Sequence, residues 1–208
     1  MAGKAGLVPC PRRLVPTLAI MGIRTGKTPK HWNYFLAIEE DVASLSKWIE
    51  FTEDNFDCYS IQLARLLMVA SAECDVVAKR LSADIDKTAK ARSINRYRDV
   101  VVNRFTKFPF AEVTIPRYGL TLQPWLNWNR ENVPPLWWTA NNKVKHHRST
   151  SFDQARLEYA LNAVAGLFML LSLYYGRLTR SVYPGPRLFE PTRYGHLDGD
   201  WMVFRDDG

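Results

Sequence analysis

The stretch Trp137-Trp-Thr-Ala-Asn-Asn-Lys-Val-Lys-His-His-Arg148 gathers two tryptophans, two asparagines, two histidines and three cations into twelve residues. On a continuous helix, Asn142 and His146 lie four apart and share a face, while Asn141, Lys145 and Arg148 form the neighbouring stripe. Lysine and arginine hold negative charge and a histidine moves a proton near neutral pH, so this set suits a phosphate group. No Asp, Glu or Cys stands among these residues, which argues against a metal site, and no serine or cysteine occupies a nucleophile elbow. On composition alone a structural role is the plainer reading. Cations in the last turn of a helix favour its dipole, and His146 can hydrogen-bond inside a bundle.

The elements that must position this stretch are mostly helical by pattern. Phe35, Ile38, Val42, Leu45 and Ile49 recur at spacings of three and four, which predicts an amphipathic helix from Trp32 to about Phe51. Leu63, Leu67, Ala70, Cys74, Val77 and Leu81 predict a longer one from Tyr59 to about Ser82, and a shorter basic helix follows over Ala91 to Phe105. Residues 107–135 are rich in proline and tryptophan, and their two short apolar runs fit a small hairpin or an ordered loop. Trp125 and Trp128 are expected to lid the bundle, with base stacking as the alternative. Pro134 and Pro135 open a fourth helix near Leu136, which carries the quoted stretch. Ser151 and Gln154 form a capping box for a fifth, running to about Arg180. After Tyr183 the chain reads as an extended cover with one short strand.

Charge divides unevenly along the 208 residues. The formal net charge is +7, but residues 1–30 hold six cations and no acid, leaving +1 for the rest. That segment, with four prolines, reads as a poorly ordered leader, and its short broken apolar part does not make a signal peptide. Within it, Leu18 to Thr28 imitates a strand and phosphate loop, but Gly22 and Gly26 are separated by three residues where four are required. Residues 31–78 carry nine acids against two cations and residues 79–117 ten cations against four acids. Such a division serves a polyanion, or lets parts of the fold or two subunits attract each other. Cys10, Cys58 and Cys74 are odd in number and widely spaced, which fits a reducing cytosol rather than a disulfide framework. Tyr159 to Gly176 holds eighteen residues without a charge; its polar residues and solitary occurrence favour a central bundle helix over a membrane span.

The arrangement Asn141-Asn-Lys-Val-Lys-His146, followed by a long apolar helix, resembles the signature of the HEPN superfamily. There an arginine, a polar residue, three variable positions and a histidine form the site. The weaker pattern Asp75-Val-Val-Ala-Lys79-Arg80 is similar to an acidic, Lys-Arg motif that some members carry on an earlier helix; its plain alternative is an Asp75 to Lys79 surface ion pair. The resemblance covers residues 32–180 and extends to a group of uncharacterised bacterial proteins with an N-x-x-K-H-x-R form. It implies a four- or five-helix bundle, a homodimer whose motifs meet at the interface, and in active members a metal-independent ribonuclease of toxin–antitoxin, abortive-infection or other defence systems. One departure stands out: Asn141 occupies the arginine position and cannot make a bidentate phosphate contact.

These readings set the expectations. The fold is all-α, a HEPN-like bundle over residues 31–182 with a Pro/Trp-rich insertion, a leader over 1–30 and an extended segment over 183–208. The protein is cytoplasmic, without a membrane span, and acts on or binds RNA or a nucleotide, or else serves as a non-catalytic module for these or for a protein partner such as an antitoxin. His146, Arg148, Asn142 and Asn141 form the catalytic set, Lys143, Lys145 and His147 hold phosphate, and Asp75, Lys79 and Arg80 form a second motif. No metal or cofactor is expected.

Overall fold

The computed structural model of the chain describes residues 28–205. Cys10 and nearly all of the expected leader, with its imitation phosphate loop, lie outside the described residues, whereas Lys30 already belongs to a helix.

The architecture is mixed α/β, which corrects the all-α expectation. Of the described residues, 58% are helical, short 3-10 turns included, and 11% are in strands that form two antiparallel three-stranded sheets. Helix α1 (Lys30–Leu45) buries Phe35, Ile38, Val42 and Leu45 of the predicted stripe together with Trp32, while Ile49 lies beyond its end. It stops before Phe51 because the Ser46 hydroxyl donates to the Ala43 carbonyl at 2.8 Å and the chain continues in turns through Trp48. Helix α2 (Ile61–Ile85) starts where the Ser60 side chain accepts the Leu63 N–H at 3.1 Å, an N-cap of the usual kind. Helix α3 (Ile94–Arg104) follows, and then the hairpin of β1 (Val113–Ile115) and β2 (Leu120–Leu122), with Gly119 supplying the positive φ of 64° at its turn.

Helix α4 (Leu136–His146) begins directly after Pro135, as its sequence indicates. The chain then breaks at His147 (φ −134°, ψ 41°), makes one turn of helix α5 (Arg148–Ser151), and enters α6 (Leu157–Gly176). The expected capping box at Ser151 is therefore not formed. Ser151 ends α5, and α6 starts six residues later after Arg156, whose segment is tied to residues 56–58: the Leu157 N–H donates to the Cys58 carbonyl and the Glu158 N–H to that of Phe56. Helix α6 is central, packed against α1, α2 and α4. It is long and apolar enough to cross a membrane, but 78% of its apolar window is buried within the protein, which explains its lack of a polar face.

The segment after Tyr183 contributes far more than one strand. Strands β3 (Ser181–Val182), β5 (Gly195–Asp198) and β6 (Trp201–Phe204) form a sheet in the order β3-β6-β5, with His196 opposite Val203. Strand β4 (Glu190–Pro191) joins the hairpin instead, placing Glu190 opposite Thr114. Glu39 of α1 anchors this segment. Its buried carboxylate accepts the backbone N–H groups of Arg187, Leu188 and Phe189 at 3.0, 2.8 and 3.2 Å.

Aromatic packing fixes α4. Trp125, Trp128 and Trp137 are buried together against Phe108, which rules out Trp125 and Trp128 as exposed base-stacking rings. The Trp137 indole N–H donates to the Pro124 carbonyl at 2.8 Å and that of Trp125 to the Gly166 carbonyl at 3.1 Å. Gly166 permits the close approach: a Cβ there would stand 3.1 Å from Trp137 Cζ2.

Candidate functional site

Because Trp137 is fixed between Pro124 and α6, the rotation of α4 about its axis is also fixed, and that decides which motif residues reach solvent. Trp137, Ala140, Asn141 and Val144 form the buried stripe. Asn142, Lys143, Lys145, His146, His147 and Arg148 are all exposed. Asn142 and His146 thus share an open face, as their spacing predicts. The proposed stripe of Asn141, Lys145 and Arg148 does not exist: Asn141 faces the interior, and the break at His147 takes Arg148 off the α4 axis.

That break also overturns the geometry of a continuous helix, in which Arg148 would project away from His146. The Thr150 and Ser151 N–H groups both donate to the His147 carbonyl, and residues 152–154 fold back against α4. Arg148 consequently lies with its guanidinium 5.3 Å above the ring of Phe152. Phe152 in turn meets Tyr59 edge to face at 6.0 Å. Tyr59 is 55% exposed and precedes α2, and its backbone pairs with that of Arg156. Sequence reasoning placed neither ring here. Tyr59 is remote in the chain, and a lone tyrosine before a helix start carries no periodic signal.

The cations at the end of α4 have no acidic partner: among the described residues, no carboxylate forms an ion pair with Lys143, Lys145 or Arg148. Asp57 and Asp153 both pair with Arg156. The last carbonyls of α4 offset part of the positive charge, since the helix C-terminus carries a partial negative one.

The second motif is divided by the fold. Asp75 on α2 accepts the Tyr97 hydroxyl at 3.1 Å, while Lys79 and Arg80 are exposed. The Asp75 to Lys79 ion pair is absent among the described residues, and no hydrogen bond or ion pair joins these three to residues 141–148. Nor does any described ion pair connect the acidic 31–78 region to the basic 79–117 region.

Other chemically capable groups fall into structural positions. His31 Nδ1 and Glu73 Oε1 are 2.5 Å apart and link the start of α1 to α2. Cys74 is fully buried, and burial, with the charges of Glu73 and Asp75, pushes its thiol well above the ordinary range, so it is no nucleophile. No group of three or more His, Cys, Asp or Glu among the described residues is placed to hold a metal ion.

No protein family, no curated protein and no solved structure matches this chain.

Proposed function

We propose that this is a HEPN-like protein that binds RNA through the phosphate backbone at the end of α4, with Lys143, Lys145 and Arg148 as the charged contacts and Asn142 and His147 as polar ones. The observation that carries this reading is the exposed run from Asn142 to Arg148, whose cations have no carboxylate partner. Cations left unpaired at a surface are available to displace counterions from a polyanion. Asn141 takes no part, because it is buried. Following the resemblance, the working form is a homodimer in which two such ends face each other, and the setting is a bacterial defence or toxin–antitoxin system with an antitoxin as protein partner.

A second reading, metal-independent cleavage of the bound RNA, is favoured by one further observation: the break at His147 leaves both His146 and Arg148 exposed at the same corner. His146 would move the proton of the attacking 2′-hydroxyl or the leaving oxygen, and Arg148 would offset charge on the phosphate. The test is direct. Purified protein is incubated with labelled single-stranded and structured RNA in the presence of chelator, and binding and cleavage are read on the same samples. Binding lost in Lys143→Ala/Lys145→Ala supports the first reading, and absence of any RNA binding at low salt ends both. Cleavage that survives His146→Ala removes the role assigned to His146, and wild type that binds RNA without cleaving it removes the second reading while leaving the first in place.

A further inference from the structure

The corner that holds the cations also holds two aromatic rings that only the tertiary fold brings there. Tyr59 comes from the segment before α2 and Phe152 from the turn after α5, 93 positions apart in the chain (152 less 59), yet their rings meet at 6.0 Å. Backbone pairing of Tyr59 with Arg156 and the Asp57–Arg156 ion pair at 2.5 Å hold the first segment in place. An edge-on contact uses little of a ring's surface, and Tyr59 retains 55% exposure. Arg148 covers Phe152 from its own side. The result is a charged contact, a buttressing ring and an open ring, in that order, running from the phosphate-binding end of α4.

From this juxtaposition, and resting on the reading that the α4 end contacts RNA phosphates, we propose that Tyr59 stacks an unpaired nucleobase, so that the protein selects single-stranded over duplex RNA. Every base has a π-face, whereas in a duplex those faces are covered by neighbouring pairs, so an exposed ring beside a cationic track accepts only an unstacked strand. The cations of the α4 end point to a polyanion as occupant, since no described carboxylate pairs with Lys143, Lys145 or Arg148, and Asp57 and Asp153 share the guanidinium of Arg156 instead. Phe152 is the positioning residue: it holds Tyr59 edge-on and Arg148 face-on.

The experiment compares binding of one RNA sequence, as a single strand and as a duplex, by full-length wild type, Tyr59→Ala and Tyr59→Phe, using fluorescence anisotropy across a salt series. Tyr59→Ala should weaken single-strand binding about tenfold or more, which is the usual size of a lost base stack. Duplex binding and the salt slope should stay unchanged, because no phosphate contact is removed. Tyr59→Phe should bind as wild type, since stacking does not use the hydroxyl. Equal loss on both RNA forms, or no loss on either, overturns the stacking role while the phosphate-contact reading stands. A Tyr59→Ala protein that changes its oligomeric state by sedimentation with RNA affinity intact overturns it also, in favour of an interface between copies. Wild type that binds neither RNA at low salt overturns the underlying reading and this one together.

Discussion

The carboxylate of Glu39 accepts the backbone N–H of Leu188 at 2.8 Å, joining the first described helix to a segment nearly 150 residues later. Arg187 and Phe189 donate to the same carboxylate, so one side chain satisfies three successive donors. Glu39→Ala would leave the buried Leu188 and Phe189 donors unpaired, which costs about 2–4 kcal/mol. Urea denaturation measures that loss, and limited proteolysis should show earlier cleavage near Arg187.

The same residue predicts a pH dependence. Burial raises the Glu39 carboxyl above its ordinary range, and the bonds from Leu188, Arg187 and Phe189 pull it back only in part. Since the native state binds this proton more tightly than the unfolded chain, the stabilisation is full below about pH 4.5 and is lost as pH rises through the folded value. The stability of wild type relative to Glu39→Gln should therefore fall between acid and neutral pH. A difference in urea midpoints that does not change with pH would refute this.

Tyr97 should be among the last tyrosines to ionise. Burial, then the charge of Asp75 and its hydrogen bond, push the phenol up to about 12. Its contribution to stability is full below about pH 10 and is lost as pH rises through about 12. Ultraviolet titration of wild type and Tyr97→Phe should differ only in the late phenolate step, and the variant should lose about 1 kcal/mol because Asp75 loses its donor.

Gly166 and Trp137 set the rotation of α4, so their replacement tests how the site is positioned. Trp137→Ala should cost about 3–5 kcal/mol in urea denaturation, as large aromatic truncations in a core do. Gly166→Leu should cost about 1–3 kcal/mol by overpacking, because even a Cβ would stand 3.1 Å from Trp137 Cζ2.

The proposed phosphate contacts predict a salt slope. Three contacts to single-stranded RNA give a log–log slope of roughly −2, and Lys143→Ala/Lys145→Ala should reduce it to roughly −0.7. A slope unchanged in the double variant would place the contacts elsewhere.

The sequence by itself determined most of the helices and the sharing of one face by Asn142 and His146. Apolar spacing of three and four located α1, α2 and the body of α6, because a helix must turn one stripe toward the core, and Pro134 and Pro135 marked the start of α4. The pairing of Asn142 with His146 on one face follows from 3.6 residues per turn alone. Of the strands, the sequence indicated only the β1–β2 hairpin, as an alternative to a loop, and one short strand after Tyr183. They span two to four residues, too few for an alternating pattern to register, and β4 contains Pro191. What makes them strands is pairing across the chain: Thr114 with Glu190, and Ser181 with Val203.

At the candidate site, the tertiary structure decided the matters on which the proposed function turns. It buried Asn141 because Trp137 packs against α6 and sets the rotation of α4. It turned Arg148 back at His147 and laid it over Phe152. It also brought Tyr59 to the same corner, through an ion pair and backbone bonds to a segment nearly a hundred residues away. Local spacing encodes which residues share a turn. It does not encode which distant segment pays the entropy of lying beside them, because that depends on contacts made only when the whole chain has closed.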